Sequence, residues 1–328
     1  MEKIFETGHT KVGTEIDRRG QKMSSEQSST ISDSMKMRKW SNQKQRFDQM
    51  MRWIFVSSAA IVTIVIFSII VFVGLQGLRT FGDVSPLEFF FSMDWTPSKD
   101  RFGALPFFVS TFALTLLSAL FAVPLALSGA IFMVKIAPNW MRELMRPATD
   151  LFVGIPSVVY GFIGLTVIVP WLAKVTGTIG YGILPAAMIL AIMILPTILS
   201  ISEDSIRSLP RKLEEASLAL GATRWQTIRS VLIPAAMPGI LTGVILGMGR
   251  AIGETMAVFM VIGNSPQMPK SWLESATVLT TAIVKDMPHT FYGTAWNNAL
   301  YLMALLLLLI SLSFILLIRI VAKRSENA

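Results

Sequence analysis

The chain has 328 residues and a formal net charge of +8, yet 52% of its residues are hydrophobic and only 15% are charged. With a mean hydropathy of +0.58 it does not read as a water-soluble globular domain; it reads as an integral membrane protein. It has no cysteine, which excludes disulfides and thiolate metal sites.

Residues 1–52 are polar, rich in Ser, Gln, Lys and Arg, and show no sustained apolar period, so a disordered tail is expected there. Met23-Ser24-Ser25-Glu26 offers a second plausible start, in which case 1–22 is an over-extended reading frame beginning at Met1. The first apolar run begins near residue 53, too far along for a cleaved signal peptide, and reads as an uncleaved first span. A membrane-crossing helix needs about 20 mostly apolar residues. Six runs qualify, at roughly 53–75, 105–134, 147–172, 181–201, 234–262 and 295–320. The expected fold class is therefore an all-α membrane protein with six transmembrane helices. Its expected division is a cytoplasmic tail 1–52, a first transmembrane helix 53–79, an external loop 80–104, a core 105–321 containing a cytoplasmic loop 202–233, and a cytoplasmic C-terminus 322–328.

The basic residues support that topology. Of the 29 Lys and Arg, 22 lie in the tail, the 135–146 loop, the 202–233 loop and the C-terminal end, counting Arg319 at the close of the sixth span. The alternate loops hold 6, and Arg250 lies inside a span. This asymmetry places both termini in the cytoplasm. It also accounts for the positive charge without nucleic acid, and part of the tail can touch anionic membrane lipid.

In the external loop, Phe89, Phe90, Phe91 and Trp95 suit either an interfacial aromatic belt or packing on the bundle. The third span carries Gly154-Ile155-Pro156-Ser157-Val158-Val159-Tyr160-Gly161. Pro156 removes a helical hydrogen bond, and the two glycines allow close helix approach. Two readings stand: a broken helix lining a path, with Ser157 and Tyr160 facing inward, or a kinked helix that merely packs tightly. The 202–233 loop is too long for a turn and too patterned for disorder. Residues 211–220 favour a helix that Gly221 stops, and Trp225, Ile228, Val231 and Leu232 recur at the spacing of a second short helix. Such a pair is either a docking element or a membrane-surface pair.

The fifth span contains Gly249-Arg250-Ala251-Ile252-Gly253-Glu254. A charge at the centre of a membrane helix costs about 2.5–3.5 kcal/mol on insertion scales, so it usually faces a partner or a water-filled path. Four residues apart on a continuous helix, Arg250 and Glu254 would share a face. As a helix brace the order is the poorer one, because Glu before Arg is the better orientation. A structural pair sealing the bundle and a path-lining pair both remain open. Arginine suits phosphate-like oxyanions through its planar fork, with Glu254 then expected to hold Arg250 while the path is closed.

No Walker A pattern is present, the two histidines are isolated, and no Ser/His/Asp constellation lies within the spans. Neither an ATPase site nor another enzymatic centre, metal or cofactor is expected. Transporter, anion channel and assembly protein are the remaining classes.

Here the residues resemble a family. Glu215-Ala216-Ser217, Gly221, Val231, Ile233 and Pro234 are similar to the EAA loop of ABC-importer permeases, which reads E-A-A, three residues, G, nine residues, I, one residue, L-P. Ser217 departs from the third small residue, and Val231 and Ile233 stand for Ile and Leu. Gly103-Ala104-Leu105-Pro106-Phe107, Ile155-Pro156-Ser157-Val158-Val159-Tyr160-Gly161 and Gly249–Val258 narrow the resemblance to PstC-type permeases of phosphate importers over roughly 80–320. Thr255-Met256-Ala257-Val258 favours this type over its PstA-type sister.

The resemblance implies a type I ABC-importer permease core in a bacterial inner (plasma) membrane. It implies a heterodimer with a PstA-type permease, two PstB-type ATPase subunits that hydrolyse the ATP, and an external phosphate-binding protein. Glu215, Ala216, Gly221 and Pro234 would couple to the ATPase. Arg250 and Glu254, with Ser157, Tyr160 and Thr255 beside them, would belong to the translocation path, working by alternating access. A permease for sulfate, molybdate or phosphonate would share the EAA loop; an anion channel would lack a stoichiometric ATPase.

Overall fold

The computed structural model describes residues 47–326, so the expected disorder of 1–46 and the alternative start lie outside the described residues. Six helices are long and apolar enough to cross a membrane. The first, α1 (Phe47–Gly82), starts earlier than the expected residue 53. Its stretch 47–69 forms a unit by itself, exposing Trp53, Phe55, Ile61 and Phe67. A helix that is apolar all round belongs in a membrane or a large core.

The second unit, from residue 70 onward, holds everything else. After α1 come a short helix α2 (Pro86–Phe91) and a two-stranded hairpin, β1 (Trp95–Thr96) with antiparallel β2 (Arg101–Phe102), Trp95 opposite Phe102. The spans that follow are α3 (Leu105–Ile136), α5 (Ser157–Thr176), α6 (Ile183–Arg207), α8 (Arg224–Gly253) and α11 (Ala295–Glu326), of which Ala295–Leu316 is the apolar part. Between them lie α4 (Asn139–Gly154), α7 (Arg211–Ala219), α9 (Met256–Val261) and α10 (Leu279–Asp286).

The centre is α6, which packs on α3 and α8. Small residues allow this. On α8, Gly239, Gly243 and Gly247 recur every fourth position and face Ser205, Ile201 and Ile198 of α6. A methyl group on Gly247 would lie 2.7 Å from the Ile198 side chain. Because lipid tails are as apolar as the helix surfaces, close backbone approach and dispersion replace hydrophobic drive.

A second apolar cluster unites the 80–104 segment with α10 and α11 around Phe89, Trp95, Phe102, Phe107, Leu279 and Leu300. Phe89 and Trp95 are therefore packing residues, while Phe91 is exposed. The Trp95 indole donates to Asp286 Oδ2 at 3.1 Å, satisfying the one polar atom that its burial strands. Thr96 and Arg101 hydrogen-bond the Asp94 carboxylate across the hairpin and hold its pKa below the usual 3.8.

Two expected spans are interrupted. The stretch 147–172 is not one helix: 147–154 belongs to α4, and the chain then breaks at Ile155-Pro156. Ile155 is extended (φ −68°, ψ 128°), as steric conflict with the following proline ring favours. The stretch 234–262 also divides, at Glu254 and Thr255. Conversely, the second short helix expected after Gly221 is continuous with the fifth span, since α8 already begins at Arg224.

Candidate functional site: two interrupted spans and a loop between α6 and α8

Arg250 is half-buried in the last turn of α8. The helix ends at Gly253, and Glu254 follows with extended backbone (φ −69°, ψ 129°). The expectation of one continuous helical face is thus corrected: a helix end separates the two charges. Glycine at 249 and 253 weakens the helix there. Side chains then take over the backbone groups that the break releases, as a membrane interior requires. Glu254 Oε1 accepts from the Ala257 amide at 3.2 Å, Thr255 Oγ1 donates to the Gly253 carbonyl at 3.2 Å, and Thr280 Oγ1 donates to the Glu254 carbonyl at 3.1 Å.

The electrostatics follow from this geometry. Arg250 is a cation at the carboxyl end of α8, and Glu254 is an anion at the amino end of α9. Each sits where the aligned peptide dipoles favour its sign, typically by about 0.3–1 kcal/mol. The ion pairs found among the described residues include neither Arg250 nor Glu254. The expected Arg250–Glu254 latch is therefore not formed in this structure.

The break in the third span lies close by. Ser157 is the first residue of α5 and is half-buried. Tyr160, one turn on, is 5% exposed, and its hydroxyl donates to the Phe152 carbonyl at 2.8 Å, bridging back to α4. Tyr160 packs in one cluster with Ala257 of α9. Beyond the breaks, α5 and α9 pack together. A methyl group on Gly161 would lie 2.8 Å from the Ala257 Cα, and one on Gly164 would lie 2.8 Å from Val261 Cγ1. The structure thus brings Arg250, Glu254, Thr255 and Tyr160 to one region, where two spans are interrupted and their second halves meet.

The second group of candidate residues lies toward the other end of α8. Pro234 is 16 positions before Arg250, roughly 24 Å at 1.5 Å per helical residue. Glu215, Ala216, Gly221 and Pro234 are all exposed. Gly221 adopts φ +83°, the left-handed region that a Cβ disfavours, and turns the chain from α7 toward α8. A capping box at Thr223 and Gln226 starts α8. Leu220 (89% exposed) and Trp225 (61% exposed) leave an apolar rim beside the turn.

Three contacts were not anticipated. Ser217 Oγ and Thr227 Oγ1 are 2.9 Å apart and tie α7 to α8. Since Thr227 donates to the Thr223 carbonyl, Ser217 is the donor. The departure from E-A-A was the visible signal for this contact. Lys135 Nζ lies 2.5 Å from Glu214 Oε2, joining α3 to α7, and Thr280 supports the Glu254 carbonyl. Neither of these has a sequence signature.

The family model for the inner membrane component of binding-protein-dependent transport systems matches residues 126–327. The chain is 50% identical over 293 residues to the probable ABC transporter permease protein YqgH of Bacillus subtilis, covering 87% of this chain and 94% of that one. It is 34% identical over 271 residues to the phosphate transport system permease protein PstC of Mesorhizobium japonicum, covering 76% and 81%. A bacterial alginate ABC transporter, crystallised with its alginate-bound periplasmic protein, shares the fold with a TM-score of 0.59 at 17% identity over 84% of this chain and 96% of that one. With six spans of the type I importer architecture and this family match over most of its core, the chain belongs to the binding-protein-dependent ABC-importer permeases, multi-pass inner-membrane subunits that work with separate ATPase and solute-binding partners.

Proposed function

We propose that this permease is the PstC-type subunit of a phosphate importer. It pairs with a PstA-type permease above two PstB-type ATPases and receives phosphate from an external binding protein. The observation that carries the reading is the 34% identity across 76% of the chain to a phosphate permease, with Arg250 standing where two spans are interrupted. A fixed guanidinium suits an oxyanion because it offers parallel N–H donors and stays charged at any physiological pH.

In this reading Arg250 meets the solute, and Glu254 shapes the break and sets the local charge. Ser157, Tyr160 and Thr255 line the same region. Glu215, Ala216, Gly221 and Pro234 form the surface that an ATPase groove receives, with both termini on that cytoplasmic side. ATP binding closes the ATPase pair, the coupling loops move, and the path opens outward. A nucleotide shifts such an equilibrium only through its different affinity for the two states, so the permease itself needs little affinity for the solute.

The test is uptake of labelled phosphate into proteoliposomes holding the whole complex, wild type against Arg250→Gln, with sulfate and molybdate as competitors. The reading expects loss of uptake in the variant and weak competition. Normal uptake by Arg250→Gln sinks the role of the arginine, and equal competition by sulfate or molybdate points to another oxyanion.

A further inference from the structure

Behind the loop that carries Glu215 is an open cavity of about 540 Å³, lined by α7, the ends of α3 and α6, the start of α4 and Leu232 of α8. Its charged lining is Lys135, Arg142, Arg207, Arg211, Glu214 and Glu215, so cations exceed carboxylates by two. Two of the cations are already partnered. Lys135 is paired with Glu214, and Arg207 with Glu203, whose side chain is only 4% exposed. Arg142 and Arg211 remain. Arg142 Nη2 donates to the Val134 carbonyl at 2.9 Å, while its Nε is buried without a partner among the described residues. Arg142 is half-buried and lines the cavity, and a guanidinium N–H left without a partner is costly. Arg211 is the first residue of α7, and Pro210 before it gives that helix end no side-chain cap. Uncapped amides there add donors and a favourable dipole for an anion.

We propose that this cavity is an oxyanion site that takes a phosphate group on Arg142 and Arg211, separate from the path at Arg250. That it faces the cytoplasm rests on the orientation proposed above. The guanidinium forks match tetrahedral oxyanions, and the cavity is large enough for a hydrated phosphate. A bound anion would stand beside the Lys135–Glu214 pair and compete with Glu214 for Lys135. It would thereby loosen the tie between the coupling helix α7 and α3, so phosphate inside the cell would slow transport. The same chemistry is offered by free inorganic phosphate and by the headgroup of an anionic lipid.

The test uses the assembled complex without nucleotide, in nanodiscs of phosphatidylcholine alone or with phosphatidylglycerol, titrated with inorganic phosphate. In phosphatidylcholine discs, phosphate binding should survive Arg250→Gln and weaken by about tenfold or more in Arg142→Gln/Arg211→Gln, the scale of losing a charge-assisted hydrogen bond. If the headgroup is the resident, phosphatidylglycerol should weaken phosphate binding to the wild type, and the double variant should abolish that lipid effect. Phosphate affinity unchanged in the double variant, with no lipid effect for it to abolish, overturns the site. Binding lost in Arg250→Gln but kept in the double variant also overturns it, while leaving the path reading intact. Should the double variant fail to assemble, Arg142→Lys decides: it keeps the charge and loses the fork, and unchanged affinity overturns the proposal.

Discussion

Glu254 accepts the Ala257 amide at 3.2 Å, so the carboxylate that sequence pairs with Arg250 is engaged with the helix that follows it. The contact has a local purpose, to satisfy a backbone donor at the start of α9, and it leaves the negative charge in place. The two roles separate by substitution. Glu254→Gln retains an acceptor for Ala257, whereas Glu254→Ala removes it. Thermal unfolding of the purified complex should show Glu254→Gln close to wild type and Glu254→Ala weaker by about 1 kcal/mol, the usual worth of a cap. Uptake should fall in both if the charge matters. Full uptake by Glu254→Gln would reduce Glu254 to a cap.

Gly161 offers a test of the paired half-helices. A methyl group there would lie 2.8 Å from the Ala257 Cα, a backbone atom that cannot rotate away. Gly161→Ala should force α5 and α9 apart and destabilise by about 1–3 kcal/mol, as overpacking does. Gly154, with open space around it, is the control. Equal melting temperatures for Gly161→Ala and Gly154→Ala would refute the packing argument.

At the turn proposed to couple to the ATPase, Gly221 has φ +83°. Gly221→Ala should cost about 1–2 kcal/mol locally, the penalty of a left-handed L-residue, and Gly221→Pro should be worse because proline requires a negative φ. Both should leave the protein in the membrane while lowering the solute transported per ATP hydrolysed by the proposed complex. An unchanged ratio in Gly221→Pro would remove the turn from the coupling path.

Ser217→Ala removes the donor to Thr227 and should loosen α7 from α8 by about 0.5–1.5 kcal/mol. Because Thr227 keeps its bond to the Thr223 carbonyl, α8 itself should remain intact. Protease sensitivity of the 208–223 segment is the readout, and an unaltered cleavage rate would count against the tie.

Asp94 gives a pH dependence with a defined sign. Thr96 and Arg101 stabilise its charged form, so its pKa when folded lies below the unfolded value of 3.8. Its support for the hairpin is complete above that value and is lost as the pH falls through the folded pKa. The emission of Trp95, in β1, should report an acid transition that Asp94→Asn lacks. An identical transition in the variant would assign the change to another group.

The amino-acid sequence determined the class of this protein. Six apolar runs, the uneven distribution of Lys and Arg, and the spacing of Glu215, Gly221 and Pro234 all depend on local pattern alone. Their physical causes, transfer from water to lipid and the left-handed turn that only glycine enters freely, act within a few residues. Pro156 likewise marked the third span as either kinked or broken, because a ring clash is local, and the structure decided for the break.

The break after Gly253 was legible only in the tertiary structure. On local grounds 234–262 is one apolar run, and a continuous helix would satisfy its own backbone. The alternative becomes possible because Thr280, distant in sequence, supplies a donor to the Glu254 carbonyl, and because Gly161 and Gly164 leave room for α9 beside α5. The same holds for Lys135 with Glu214, which meet only when α3 and α7 are assembled. Sequence placed two charges in one membrane span. Packing decided that they occupy the ends of two helices, because the groups that replace the lost helical hydrogen bonds come partly from elsewhere in the chain.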